Sequence, residues 1–159
     1  MKKALIIGIV LLIVATCIVA AVHLRNQDVI PCMVIQQEGR QIAVSFDDLN
    51  KSAFSGELID GKGDVSSHDC TGILLRELLE EKGIDLARLS GVTVTSADNY
   101  TATFSAQEIL QTDTVYVAIA ADGKRLDSID GKSDGVQIIV FGDPNSRRCV
   151  RFAQKITIT

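Results

Sequence analysis

The 159-residue chain is long enough for one domain with a modest core, and most of it is acidic. Residues 28–159 carry 13 Lys and Arg against 20 Asp and Glu, a formal net charge of −7. Because a surface of that sign repels phosphate groups, the composition argues against nucleic acid as a partner and against a broadly basic membrane-binding surface.

An uncharged segment near the N-terminus predicts a membrane anchor. Residues 4–24 contain no Asp, Glu, Lys or Arg, and a helix of that length, rising about 1.5 Å per residue, spans a hydrocarbon core of roughly 30 Å. Lys2 and Lys3 precede it, which favours a cytoplasmic N-terminus. We therefore expect an anchor and short stalk at 1–27 and one extracytoplasmic domain at 28–159 in a single-pass protein of the cell membrane.

Two other interpretations of this segment stay open. The small residues at 19–21 suit cleavage of a signal peptide, although the apolar core is longer than the roughly 7–15 residues typical of one. Cys17 follows Val-Ala-Thr, which weakly resembles a lipoprotein processing site.

The cysteines indicate neither zinc nor a definite disulfide. Three of them follow the anchor, at Cys32, Cys70 and Cys149, with no CxxC spacing and no histidine pair nearby. An extracytoplasmic domain can hold a disulfide, and Cys32 with Cys149 is one pairing; free, buried thiols are the alternative.

The most regular pattern lies between residues 71 and 105. Gly83 is predicted to end an amphipathic helix, since glycine enters the left-handed cap conformation without steric cost. A β-hairpin is predicted from Val92 onward, because apolar and polar residues alternate on both sides of a polar tip at 97–99. The helix buries four leucines that recur at helical spacing: Leu74, Leu75, Leu78 and Leu79.

Shorter patterns complete the domain. Ser105 and Glu108 have the spacing of a capping box and predict a short helix. Asp122-Gly123 predicts a tight hairpin turn, and Glu38-Gly39 a second turn. A brief helical turn is expected at 47–49. Strands are predicted at 33–37, 41–46, 54–59, 115–121, 136–141 and 150–159.

Residues 56–69 are predicted to be the loosest part of the domain, because they contain three glycines and several turn-forming residues. Their carboxylates lack the spacing of a calcium loop, so we expect a solvated loop. His68 lies in it and is expected to be exposed, since a general base needs an orienting carboxylate and adjacent Asp69 is not spaced to supply one.

One basic cluster stands out near the C-terminus. Its members are Arg147, Arg148, Arg151 and Lys155, which follow the turn-forming residues 142–145. Such a cluster can hold an anionic ligand, and an ordinary charged loop is the alternative.

Taken in order, several short motifs resemble the sulfite oxidase family and its oxidoreductase molybdopterin-binding domain. They are Thr-Gly-x-x-Leu-Arg-x-Leu-Leu at 71–79, Val-Thr-Val-x-Ser-Ala-Asp-x-Tyr at 92–100, Thr-Phe-Ser at 103–105, Ala-x-x-Ala-Asp-Gly-Lys-x-Leu at 118–126 and Arg-x-Val-Arg-Phe at 148–152. The resemblance covers residues 34–158. It implies a mixed-sheet α+β fold in which a cysteine thiolate binds molybdenum and basic residues hold the pterin phosphate.

The chain departs from that family at the residues that would carry the chemistry. No cysteine lies at 40–69, where the resemblance places the metal ligand, and Cys70 directly precedes the Thr-Gly pair. Gln137 stands where the family has an arginine near the cofactor. The candidate cofactor contacts are therefore Cys70, Arg147, Arg148 and Arg151, and we expect Cys70 to point into the helix packing instead.

These departures favour a binding module over an enzyme. We expect no catalytic or metal-binding residues and no resident cofactor; molybdopterin is implied by the resemblance alone. The partner would be a small anionic or pterin-like ligand or an envelope protein. The alternatives are a molybdenum oxidoreductase ligated through Cys70 and a structural domain without a ligand.

Overall fold

The structure, a computed structural model, describes residues 33–45, 49–131 and 134–159. None of the helices in these ranges is long and apolar enough to cross a membrane. The predicted span at 4–24, Cys32 and most of the helical turn predicted at 47–49 lie outside them.

The domain is mixed α+β and consists mostly of sheet, as predicted. Its two α-helices are α1 (Leu75–Glu81) and α2 (Ala106–Gln111), and a 3-10 turn covers Leu86–Arg88. The strands are β1 (Met33–Gln37), β2 (Arg40–Val44), β3 (Ser52–Ile59), β4 (Val65–Leu74), β5 (Gly91–Ser96), β6 (Thr101–Ser105), β7 (Val115–Ala121), β8 (Lys124–Arg125), β9 (Gln137–Val140) and β10 (Ala153–Ile158).

The strands form two five-stranded sheets. Sheet A has the order β2-β1-β10-β5-β6, and its central strand β10 runs parallel to β1 and antiparallel to β5. Sheet B has the order β3-β4-β7-β8, and β9 also pairs with β7. The predicted hairpins at Glu38-Gly39, at 97–99 and at Asp122-Gly123 are confirmed by the pairs β1–β2, β5–β6 and β7–β8.

One apolar core joins the two sheets. Sheet A contributes Ile35, Val94 and Ile156, sheet B contributes Val117 and Ile138, and none of the five has any exposed surface. Leu75, Leu78 and Leu79 of α1 are equally buried in this core. The leucine-rich segment is therefore buried by folding, as its spacing predicted.

The prediction of a loop at 56–69 was wrong. Those residues form most of a β-hairpin in which β3 pairs with β4 from Ser52↔Gly72 to Ile59↔Val65, and Asp60 and Asp64 close the turn through a 2.9 Å backbone hydrogen bond. Strand β4 continues through 71–74, so α1 begins at Leu75 and Leu74 still belongs to the strand.

The predicted end of α1 at Gly83 and the predicted start of α2 after Ser105 are both confirmed. Gly83 has φ +73°, and two nested hydrogen bonds, from its own N–H to Glu80 and from the N–H of Ile84 to Leu79, close α1 in a Schellman arrangement. Ser105 caps α2 by accepting the N–H of Glu108 at 3.2 Å. The Glu108 side chain does not complete a capping box and contacts Arg148 instead.

Candidate functional site

Cys70 lies in β4 and is 3% exposed. It packs in a satellite cluster that includes Ala118 and Ile139, whereas Val117 and Ile138 next to them face the main core. Because side chains alternate along a strand, the satellite cluster lies on the face of sheet B that points away from that core. The expectation that Cys70 packs against the leucine helix is therefore wrong.

The surroundings of Cys70 favour the neutral thiol. Burial, and secondarily the negative charges of Asp122 and Asp69, raise the pKa of this thiol to about 11. A metal ligand must be a thiolate, which is stabilised by nearby positive charge and access to the metal. Cys70 is buried among apolar side chains, and the charges that act on its thiol are those of two carboxylates. It therefore does not fit the ligand role that the molybdenum cofactor requires.

The three arginines of the basic cluster do not act together. Arg148 is bound on two sides: its Nε donates to both oxygens of Asp143 at 3.0 and 3.1 Å, and its Nη1 lies 2.5 Å from Glu108. Its guanidinium also lies 5.7 Å from the centre of the Phe104 ring. The hydrogen bond to the buried Asp143 carboxylate, and secondarily those to Glu108, raise the pKa of Arg148 above its ordinary value. Arg148 therefore holds α2 and the 142–149 loop together.

Arg147 takes part through its backbone. Its N–H donates to the Asn145 side chain at 3.1 Å, and its carbonyl accepts a hydrogen bond from the Tyr100 hydroxyl. The side chain of Arg147 is exposed. Neither Arg147 nor Arg148 lines the cleft in which the third arginine lies.

Arg151 lines an open cleft of about 520 Å³, which we call the Arg151 cleft. One wall is the segment 125–131 that follows the Asp122-Gly123 turn, and the other includes Gln137 and Phe152. The cleft thus unites Arg151 with Gln137, which stands where the family resemblance expects an arginine. The full lining is Arg125, Leu126, Asp127, Ser128, Ile129, Asp130, Gly131, Val136, Gln137, Arg151 and Phe152.

Backbone contacts fix the shape of the Arg151 cleft. The N–H of Gly135 donates to the carbonyl of Leu126 at 2.6 Å, and a side chain at 135 would place its Cβ 2.0 Å from the carbonyl oxygen of Asp127. Only glycine permits this approach. An ion pair of 2.6 Å between Arg125 and Asp134 joins the same two segments.

His68 occupies a position that the sequence did not predict. It lies in β4 and is half-buried, and its Nδ1 lies 2.9 Å from Oδ2 of Asp122 while its Nε2 lies 2.9 Å from Oγ of Ser66. The hydrogen bond from His68, and secondarily that from the N–H of Asp69, hold the pKa of the Asp122 carboxyl below its usual value. The orienting carboxylate that His68 lacked in sequence is supplied by a residue 54 positions away.

The Asp-Gly turn signal located Asp122 correctly, but the pairing of β4 with β7 decides what its side chain touches.

Within residues 33–45, 49–131 and 134–159, no three His, Cys, Asp or Glu side chains lie close enough together to hold a metal ion. No protein-family model matches the chain, and no curated protein matches it.

Proposed function

We propose that the chain is a membrane-anchored, extracytoplasmic binding module that has a fold of the sulfite oxidase type and takes a small anionic, pterin-like ligand in the Arg151 cleft. The order of motifs across residues 34–158 supports the fold, and the uncharged segment at 4–24 supports the anchor. The function rests on one observation: the exposed guanidinium of Arg151 lines the cleft and has no acidic partner among the described residues.

The cleft combines the groups that such a ligand needs. A guanidinium binds carboxylate or phosphate through two parallel hydrogen bonds. Asp127 offers a carboxylate that can accept hydrogen bonds from ring N–H groups, and Gln137 can both donate and accept. Phe152 and the Arg151 guanidinium, 5.5 Å from the ring centre, add planar surfaces on which a flat heterocycle can stack.

Binding is favoured over molybdenum chemistry because the residues that such chemistry requires are absent or committed elsewhere. Cys70 is a buried, neutral thiol among apolar side chains and is not among the residues that line the cleft. Gln137 replaces a guanidinium by a neutral amide, which removes one charge from the cleft.

Ligand binding is tested with pterin-6-carboxylate, whose fluorescence reports binding, added to the full-length chain in detergent. We expect Arg151→Ala to weaken binding by roughly tenfold, as the loss of one charge-assisted contact does. Arg147→Ala is the matched control, since it removes the same charge from an exposed site outside the cleft. Equal affinities of both variants and the unaltered chain would contradict the assignment of the cleft.

The alternative, an oxidoreductase ligated through Cys70, predicts bound molybdenum. Elemental analysis of the full-length chain, produced in a host that makes the cofactor, distinguishes the two functions. We expect molybdenum far below one atom per chain, and no difference between the unaltered chain and Cys70→Ser. Near-stoichiometric metal that disappears in Cys70→Ser would establish the enzyme and overturn the binding module.

A further inference from the structure

A nucleophile, a base and an orienting acid lie in line on the outer face of sheet B. An ionised carboxylate only accepts hydrogen bonds, so the contact of 2.9 Å between Asp122 and His68 places the proton on Nδ1 of the ring. In the neutral imidazole, Nε2 is then an acceptor, and the Ser66 hydroxyl at 2.9 Å donates to it. This tautomer is the one that allows His68 to remove the hydroxyl proton of Ser66.

The three side chains are held in position by the backbone. Ser66 and His68 are two residues apart in β4, so they project from the same face of the sheet. Asp122 is fixed by the turn, where it has φ +51° and is followed by Gly123 with φ +74°, and its Oδ1 accepts the N–H of Asp69 at 3.1 Å. Sites on rigid strands are the ones that keep catalytic distances.

Apolar side chains lie beside Ser66 and His68. In the β3–β4 register, Leu58 lies directly across from Ser66 and Gly56 directly across from His68. The ring of Phe141 covers Gly56 so closely that a Cβ at position 56 would lie 2.6 Å from it. The half-buried Leu58 and Phe141 therefore offer a surface for a short apolar group attached to the atom that Ser66 attacks.

A backbone donor lies on the other side of Ser66. Strand β7 is paired with β4 only as far as Cys70↔Ala121, because the chain turns away at Asp122-Gly123. The N–H of Asp69 points toward β7, and by the alternation of an antiparallel ladder the N–H of Ser67 points to the same, uncovered edge. It is the backbone N–H that directly follows the nucleophile, a position that serves as an oxyanion donor in serine hydrolases.

We propose that Ser66, His68 and Asp122 form a nucleophilic site that hydrolyses small esters of short, apolar carboxylic acids. Oγ of Ser66 bonds to the ester carbonyl carbon while its proton passes to Nε2 of His68. The carbon–oxygen bond to the alcohol then breaks, and His68 returns the proton to the departing alcohol. A water molecule attacks the acyl-serine by the same route, and its proton passes through His68 back to Ser66 as the acid leaves.

Hydrolysis of p-nitrophenyl butyrate by the full-length chain in detergent tests this site. We expect Ser66→Ala and His68→Ala each to lower kcat/KM by roughly 100-fold, and Asp122→Asn to lower it by roughly tenfold, as the loss of nucleophile, base and orienting acid does. Ser55→Ala is the matched control, because it removes an exposed hydroxyl from the opposite face of the neighbouring strand. It should leave the rate unchanged.

Mass spectrometry after a brief reaction at neutral pH, stopped with acid, identifies the acylated residue. Butyrate on Ser66, absent from His68→Ala, supports the proposal. Hydrolysis that persists in Ser66→Ala, butyrate found only on lysine or other side chains, or a chain with no activity above that of Ser66→Ala overturns it. Thermal melting of each variant separates these outcomes from unfolding. The site is distinct from the Arg151 cleft, so either proposal can fail without the other.

Discussion

Arg148 lies between two carboxylates that belong to different parts of the domain. Asp143 is 5% exposed, and it forms an ion pair with the Arg148 guanidinium. An ionised carboxylate without a partner is costly to bury. Loss of Arg148 would therefore destabilise the domain mainly by leaving the buried Asp143 carboxylate unpaired. Its role is to keep the 142–149 loop against α2.

Arg148→Ala is expected to lower the free energy of unfolding by about 2 kcal/mol, less than for a fully buried pair because the guanidinium is partly exposed. Urea unfolding followed by circular dichroism measures the change. Arg147→Ala, at an exposed neighbouring position, should alter stability by no more than about 0.5 kcal/mol. Equal effects of the two substitutions would show that Arg148 stabilises nothing.

The raised pKa of Cys70 is expected to lower the stability of the domain at high pH. Its thiol has a pKa of about 11 in the folded chain against an ordinary 9.0, so between these values the unfolded chain binds fewer protons than the folded one. The contribution of this group is therefore fully present below pH 9 and falls as the pH rises toward 11.

Urea midpoints at pH 7 and pH 10 test this dependence. We expect the unaltered chain to lose more stability over that interval than Cys70→Ala, which has no thiol at this position. Parallel losses in the two proteins would show that Cys70 does not ionise on unfolding.

Among the elements, local sequence patterns predict the ends of the helices and the Asp122-Gly123 turn, but they do not predict the β3–β4 hairpin. The Gly83 end of α1, the Ser105 cap of α2 and the Asp122-Gly123 turn could all be predicted, because each depends on the conformation of one or two residues. The β3–β4 hairpin could not, because the exposed face of a projecting hairpin carries the same polar residues as a loop.

Gly83→Ala is expected to destabilise the domain by about 1 kcal/mol, since alanine is strained at a φ of +73°. Thermal or urea unfolding measures this. Gly61→Ala is the matched control, because Gly61 is not at positive φ and has open space around it; its effect should stay within about 0.5 kcal/mol. The prediction fails if the two glycines tolerate alanine equally.

For the whole molecule, strand β10 is the element on which sheet A depends. It lies between β1 and β5, and Ile156 is fully buried at its middle, opposite Val94 and Ile35. The core that joins the two sheets therefore includes side chains from near both ends of the described chain.

Ile156→Ala is expected to lower the free energy of unfolding by about 3 kcal/mol, because it leaves a cavity in a core that cannot fully collapse. Lys155→Ala changes an exposed residue of the same strand and should cost less than about 0.5 kcal/mol. Chemical denaturation of both variants provides the comparison. A small effect at Ile156 would mean that sheet A does not depend on β10.

The candidate sites were harder to predict than the fold class. Alternation and apolar runs indicate strands, yet they leave the strand order open, and the strand order decides which distant residues meet. Arg148 and Asp143 are close in sequence, but Glu108 joins them from 40 residues away. The Ser66–His68–Asp122 line depends on the register of β4 against β7, which no local pattern encodes.

Because β10 lies at the centre of sheet A, the sheet can be completed only after β10 has been synthesised. A ribosome delivers β1, β2, β5 and β6 first, and until residues 153–158 have emerged the two halves of sheet A have no strand to join them. Pairing of this kind, between segments distant in sequence, is slow to form and leaves strand edges open meanwhile. Sheet A therefore stays unfinished until residues 153–158 have been synthesised, and the open strand edges of β1 and β5 can pair with other chains until then.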